Sequence, residues 1–376
     1  MSAHARLSPS AASRWMVCTM APSMEEGIPD QSTSYTQEGT QAHELAEFCA
    51  RTSVGLTWSA APPKAADQEM EDAAEDYAAY IKETYLRIKE TCPDAFIDTE
   101  IRLDLTDWIP DSFGTADCLI VADDVLHVID FKYGKGVKVE ADGNVQMMIY
   151  ALGALDWAAM LYEIKTVRMT IVQPRLGGIS EAELPADHLL DWGENILQPI
   201  AAAADSGNGV FKPSEQTCRF CKASGSCSAQ AEHYINLFEE NPAEGVIDAE
   251  KAGELLQRAS GMKDWLKAIE ARVYEKLLDG GEVTGWKLVE GRSTRKYTDE
   301  AEIEKRLRAK KYKVGDIYEK KMIGITKMEK LLGKKKMQEL IGDLIDKPRG
   351  SAQLAPADDK RPQFHPEDEI MEAFDD

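Results

Sequence analysis

The stretch from Gly114 to Gly134 constrains the fold more than any other part of the chain. Two β-prone runs, Cys118 to Ala122 and Val125 to Ile129, flank the pair Asp123-Asp124, which suits a tight two-residue hairpin turn. If those two residues make the turn, paired positions sum to 247 and Asp117 lies across from Asp130, with Cβ atoms roughly 5 Å apart. Strand periodicity sets Lys132 one pleat beyond Asp130 on the same face and sends Phe131 to the other. Two carboxylates and an ammonium group therefore converge.

Opposed carboxylates raise each other's pKa and cost stability, a cost that a divalent cation between them removes. Hard oxygen ligands suit Mg²⁺ or Mn²⁺, and a neighbouring lysine offsets the charge that develops when a phosphodiester is hydrolysed. Read alone, these residues fit equally well the charged, solvated face of a hairpin. Gln146 and Tyr150, four apart, share a face of the helix expected over Asn144 to Ala159. Further upstream, Thr40 is a candidate helix N-cap, and His43 shares a face with Glu47, so His43 could be a metal ligand oriented by a carboxylate.

The order and spacing of Gly39 to His43, Gly114 to Asp117, Asp130 to Lys132 and Gln146 to Tyr150 resemble the motifs of RecB-type PD-(D/E)XK nucleases. The resemblance covers about two thirds of the chain, and the whole is similar to an uncharacterised phage and prophage family with this nuclease core. It implies an α/β, restriction-endonuclease-like core, a mixed central sheet flanked by helices. It also implies metal binding by His43, Asp117, Asp130 and the main-chain carbonyl of Phe131, with Glu100 as an additional acid. Lys132, Gln146 and Tyr150 would complete the catalytic set.

Seven cysteines in a chain without the layout of an export signal argue for metal or buried thiols over disulfides. Cys218, Cys221 and Cys227 have a spacing compact enough to share one centre. The opening from Leu7 to Cys18 resembles the start of nucleases related to AddB and the CRISPR adaptation nucleases. That resemblance implies a [4Fe-4S] cluster on Cys18, Cys218, Cys221 and Cys227, a staple across the domain. The alternative is a Zn²⁺ site in which His233 replaces Cys18. Cys49, Cys92 and Cys118 read as small buried residues.

A formal charge of -22 over 376 residues looks unsuited to a nucleic-acid binder. Yet Lys305 to Lys336 holds thirteen Lys or Arg against three Asp or Glu, a local net of +10 that fits either phosphate contact or a solvated helical face. The expected organisation is a nuclease core over 1–240, with a boundary near Asn241, a mainly helical, basic extension over 241–350, and an acidic, disordered tail over 351–376. A helix is expected over Ala249 to Leu278 and a hairpin over Val283 to Tyr297, turning at Glu290-Gly291. No apolar run approaches a membrane span, so a cytoplasmic protein is expected. The functional expectation is a metal-dependent DNA nuclease, an exonuclease of phage recombination or repair. Its tail would engage a recombination or single-strand-binding protein through Ile370, Met371 and Phe374. The competing expectation is a non-catalytic binding module with structural zinc.

Overall fold

A computed structural model describes residues 5–29, 34–176, 178–239, 255, 261–291, 293–318, 322–346, 352–356 and 361–364. The chain divides into two compact units, Met1–Trp265 and Leu266–Asp376. The boundary expected near Asn241 lies outside the described residues, as do residues 249–254 and 256–260 of the helix expected there; its described part is Met262–Leu278.

The first unit is α/β. Two short helices, α1 (Ala12–Trp15) and α2 (Ala21–Glu25), precede two long ones, α3 (Ser34–Ser53) and α4 (Gln68–Thr91). Strands β1 (Phe96–Asp104), β2 (Phe113–Ala122) and β3 (Val125–Phe131) follow, then α5 (Val145–Ala158), β4 (Thr166–Gln173) and β5 (Gly178–Pro185). The sheet order is β1-β2-β3-β4-β5, antiparallel except for the parallel β3/β4 pair that α5 connects. One mixed sheet flanked by helices results, as the sequence led us to expect.

The helices cover opposite faces for legible reasons. In α5 apolar residues occur all round, and it is buried by Leu103, Leu119, Val128 and Met169 on one side of the sheet. On the other side α3 and α4 pack Ala46, Tyr77 and Ile81 against Ile120, Ile129 and Phe131. Helix α4 starts where Asp67 accepts a hydrogen bond from Met70 N at 2.9 Å. Thr40, by contrast, is not an N-cap: it lies inside α3, and its hydroxyl donates to Thr36 O at 3.0 Å. A threonine hydroxyl can satisfy itself on the preceding turn, so the residue type alone does not mark a helix start.

The hairpin turns at Asp123, whose φ of +50° is one that Asp tolerates, and its register runs from Ala122↔Val125 to Cys118↔Ile129. All of these pairs sum to 247, the expected register.

In the second unit Ile303, Leu307, Ile317, Met328, Leu332, Met337 and Ile341 form a core of their own. Two expectations are corrected here. Trp286–Glu290 pairs with Ala352–Pro356, and Lys296–Tyr297 pairs with Ile345–Asp346, so the expected hairpin at Glu290-Gly291 does not form. Its turn lacks a strong αL residue pair, and each strand finds a distant partner instead. Part of the tail expected to be disordered is thereby ordered, since Ala352–Pro356 is a strand and Phe364 is buried with its N–H bonded to Leu288 O. Residues 365–376, including Ile370, Met371 and Phe374, lie outside the described residues.

Candidate active site and cysteine pocket

Three acids stand in line across three neighbouring strands. The β1/β2 register pairs Thr99 with Cys118 and Ile101 with Ala116, which sets Glu100 opposite Asp117; the β2/β3 register, extended by one step, sets Asp117 opposite Asp130. Glu100 takes φ +51°, a left-handed conformation that a non-glycine residue holds at a cost of about 1–3 kcal/mol.

The faces of both strands switch at this row. Ile97 and Cys118 pack on the α3/α4 side, whereas Ile101 and Ala116, which simple alternation would put with them, pack on the α5 side. The row of acids thus occupies the place where the sheet changes face, within reach of both α3 and α5.

From α3, His43 Nδ1 approaches Asp117 Oδ2 at 3.6 Å. Among the described residues, His43, Glu100 and Asp117 are the three metal-type donors whose ligand atoms all lie within 4.8 Å of one another. The Phe131 N–H donates to Asp117 Oδ2 at 2.7 Å, while the Phe131 ring, in the α3/α4 core, meets the His43 ring edge-on at 5.4 Å. Glu47, expected to orient His43, instead faces Arg51 at 4.0 Å.

Asp130 is buried and looks toward α5. Its Oδ1 accepts from Lys132 Nζ and Gln146 Nε2, both at 3.2 Å, and Lys132 Nζ also donates to Gln146 Oε1 at 3.2 Å. Asp130 Oδ2 lies 3.0 Å from Lys132 Nζ but is buried without a hydrogen bond of its own. Burial, opposed by Lys132 and reinforced by Asp117, pushes Asp130 up to about 6. Burial pulls Lys132 down, yet the charges of Asp130 and Asp117 outweigh it and hold the lysine above its usual value. Partial burial together with Asp117, Glu47 and Asp130 pushes Glu100 up to about 8, although its side chain keeps access to solvent.

Crowded carboxylates, one orphaned buried oxygen and an imidazole nitrogen are a donor set that a hard divalent cation fits. Tyr150 is buried beneath, its hydroxyl pushed well up by burial and then by Asp130 and Asp117. Its ring explains Gly114, where a Cβ would come within 2.6 Å of Tyr150 Cε1. The glycine of the Gly-Thr-Ala-Asp run makes room for the tyrosine of the helix motif.

This chain matches, over residues 4–362, the family described as "Protein of unknown function (DUF2800)". The chain belongs to that DUF2800 family. A solved structure titled "Crystal structure of SSO0001" is similar at 13% identity, covering 54% of this chain and 99% of that one, with a TM-score of 0.25, a likeness that carries no argument.

The four cysteines meet in one pocket: Cys18 lines it together with Cys218, Cys221 and Cys227. His233 is not among the lining residues, and its ring packs edge-on to Tyr234 at 5.2 Å. Burial, then Glu25, raises the Cys221 thiol to about 12. Cys118 and Cys92 are buried and Cys49 half-buried.

Sequence reasoning missed the clasp that brings Cys18 there. Arg14 donates to Phe220 O at 3.0 Å and pairs with Glu25 at 3.0 Å, while Glu25 accepts from Lys222 N at 2.9 Å. Thr19 Oγ1 accepts from Val210 N at 2.7 Å, and Arg6 pairs with Asp205 at 2.8 Å. Arg14 precedes Trp15, which is buried against the sheet, so the motif around Cys18 did carry a signal for this anchor.

Proposed function

We propose that this DUF2800 protein is a metal-dependent nuclease of the PD-(D/E)XK class that hydrolyses phosphodiester bonds in DNA. The observation that carries the reading is the row Glu100, Asp117 and Asp130 on β1, β2 and β3, flanked by His43 and Lys132. His43, Glu100, Asp117 and Asp130 would hold Mg²⁺ or Mn²⁺, with the Phe131 carbonyl as a further ligand. The bound ion would supply Lewis acidity toward the phosphodiester.

The chain's own groups do the rest. Asp130 and Gln146 hold the Lys132 ammonium at a fixed point, where it can donate hydrogen bonds to charge developing on phosphoryl oxygens. Tyr150, wedged over Gly114, fixes the α5 face that carries Gln146. Burial first, and then the neighbouring acids, raise the pKa values of Glu100 and Asp130, and such perturbed groups cluster at functional sites.

The cysteine pocket favours a [4Fe-4S] cluster over zinc, because Cys18 takes part in it and His233 does not. Its role would be to staple the N-terminal segment to residues 205–227.

Incubation with labelled linear and circular DNA, single- and double-stranded, in Mg²⁺ or Mn²⁺ tests the activity. Cleavage of linear DNA alone identifies an exonuclease of the kind that serves recombination or repair. No cleavage of any substrate at protein excess, with the metal bound, would favour a non-catalytic binding module. No helix among the described residues is long and apolar enough to cross a membrane.

A further inference from the structure

The second unit concentrates charge in a way that its own stability does not require. Among its basic groups several are engaged locally: Lys305 and Arg306 by Glu302, Arg306 also by Asp343, Arg308 by Glu304 and Arg295 by Glu329. Lys310, Lys311, Lys313, Lys335 and Lys336 are exposed, and no ion pair involves them among the described residues.

These five come from two runs separated by more than twenty residues in sequence. The two runs meet where Lys336 Nζ lies 5.4 Å from the centre of the Tyr312 ring, over a core that joins Leu307 to Met337 and Ile341. Both runs sit against local preference. Lys335 and Lys336 lie in the first turn of the helix Lys334–Ile341, an end where the macrodipole disfavours cations by about 0.3–1 kcal/mol each. Lys311 holds φ +71° just past the helix Glu300–Ala309, a position that favours glycine. Local rules broken at one surface point to a function for that surface.

We infer that this lysine face is a second DNA contact, taking the phosphate backbone of a duplex outside the sheet site. The choice of DNA over another polyanion rests on the nuclease reading; the charge placement does not. A tyrosine among lysines suits a polyanion better than a metal, and in a chain of net charge -22 such a face gives an otherwise repelled backbone a place to land.

The test uses the full chain in EDTA, where cleavage cannot interfere, with a short labelled duplex and anisotropy measured across a salt series. Replacing Lys310, Lys311, Lys335 and Lys336 by Gln should weaken binding at least about tenfold at low salt and reduce the log–log salt slope by about 3 to 4. Replacing the same four by Arg should leave both unchanged, which separates charge from folding damage, and the melting temperature of each set checks the fold directly. Unaltered affinity and slope in a folded Gln variant would overturn the inference. So would polyglutamate displacing the wild-type chain as hard as DNA does, since the face would then take an acidic peptide. If the wild type binds with the expected slope but never cleaves, only the nuclease reading fails.

Discussion

The sheet site and the cysteine pocket both gather metal-type donors, yet they are assembled in opposite ways. In the first, Asp117, Asp130 and Lys132 sit within sixteen residues on one hairpin, and the register delivers them together. In the second, Cys18 joins partners two hundred residues away, and what delivers it is a clasp of Arg14, Glu25 and Thr19 on backbone groups near Phe220, Lys222 and Val210. The difference suggests a division of labour: a site fixed by register can be altered without loss of the fold, whereas a pocket closed across the chain is part of what holds the unit shut.

Substitution at the row of acids breaks this comparison most sharply. Asp117→Asn keeps an oxygen to accept from Phe131 N but removes the charge, and Lys132→Ala removes the ammonium. Each should lower metal-dependent cleavage by about a hundredfold or more. Asp117→Asn should leave the melting temperature within a few degrees of wild type, because it also relieves repulsion with Glu100 and Asp130. Retention of near wild-type cleavage by either variant would remove that residue from the site.

The cysteine pocket should behave the other way. Cys18→Ala and Cys221→Ala are each expected to abolish iron content and the broad absorbance near 400 nm of anaerobically purified protein. Opening so long a loop costs about 3–5 kcal/mol by analogy with a cross-link, so melting should fall by roughly 10 °C. His233→Ala should change neither. A colourless protein with one zinc, insensitive to Cys18→Ala and sensitive to His233→Ala, would falsify the iron-sulfur proposal and leave the sheet site standing.

This contrast also explains what the sequence could disclose. The hairpin register and α5 were legible because local periodicity and turn chemistry determine them. The face switch at Glu100 and Asp117 was not legible, since alternation gives no warning that the period slips. Nor was the Trp286–Glu290 pairing with Ala352–Pro356, which depends on a partner more than sixty residues away. The Thr40 cap failed for a local reason, the hydroxyl's choice of Thr36 O.

A smaller effect tests how tightly the two motifs of the sheet site are fitted together. Gly114→Ala would drive a methyl group into Tyr150 Cε1 at 2.6 Å and Pro9 Cγ at 3.0 Å. Overpacking of this kind costs about 1–3 kcal/mol. If Tyr150 yields, Gln146 shifts with it and cleavage should fall several-fold with metal affinity retained. Trimming the ring with Tyr150→Leu in the same chain should recover the stability, and a double variant as unstable as Gly114→Ala alone would show that the contact is not the cause.

The smallest effect separates the frame of the sheet from either site. His127 is buried on β3, its Nε2 2.7 Å from Thr170 Oγ1, which in turn lies 3.2 Å from the Tyr80 hydroxyl, and Tyr80 donates to Glu181 at 2.5 Å. Burial, then the charges of Arg168 and Arg87, holds the imidazole down at about 3. The unfolded chain therefore binds a proton below about 6.5 that the native chain refuses until about 3, and the difference is stability lost as pH falls through that window. His127→Gln keeps a polar partner for Thr170 but cannot titrate. Its stability should fall less steeply with acid than that of wild type, by at most about 1.4 kcal/mol per pH unit, and the two curves should run parallel above about 6.5. Because Glu100 and Asp130 titrate upward and with opposite sign in both proteins, their contribution cancels in the comparison. Parallel curves throughout the acid range would mean that His127 is not the neutral buried group the sheet surrounds, and cleavage measured above that range should be the same in both chains if frame and site are as separate as the hairpin register makes them.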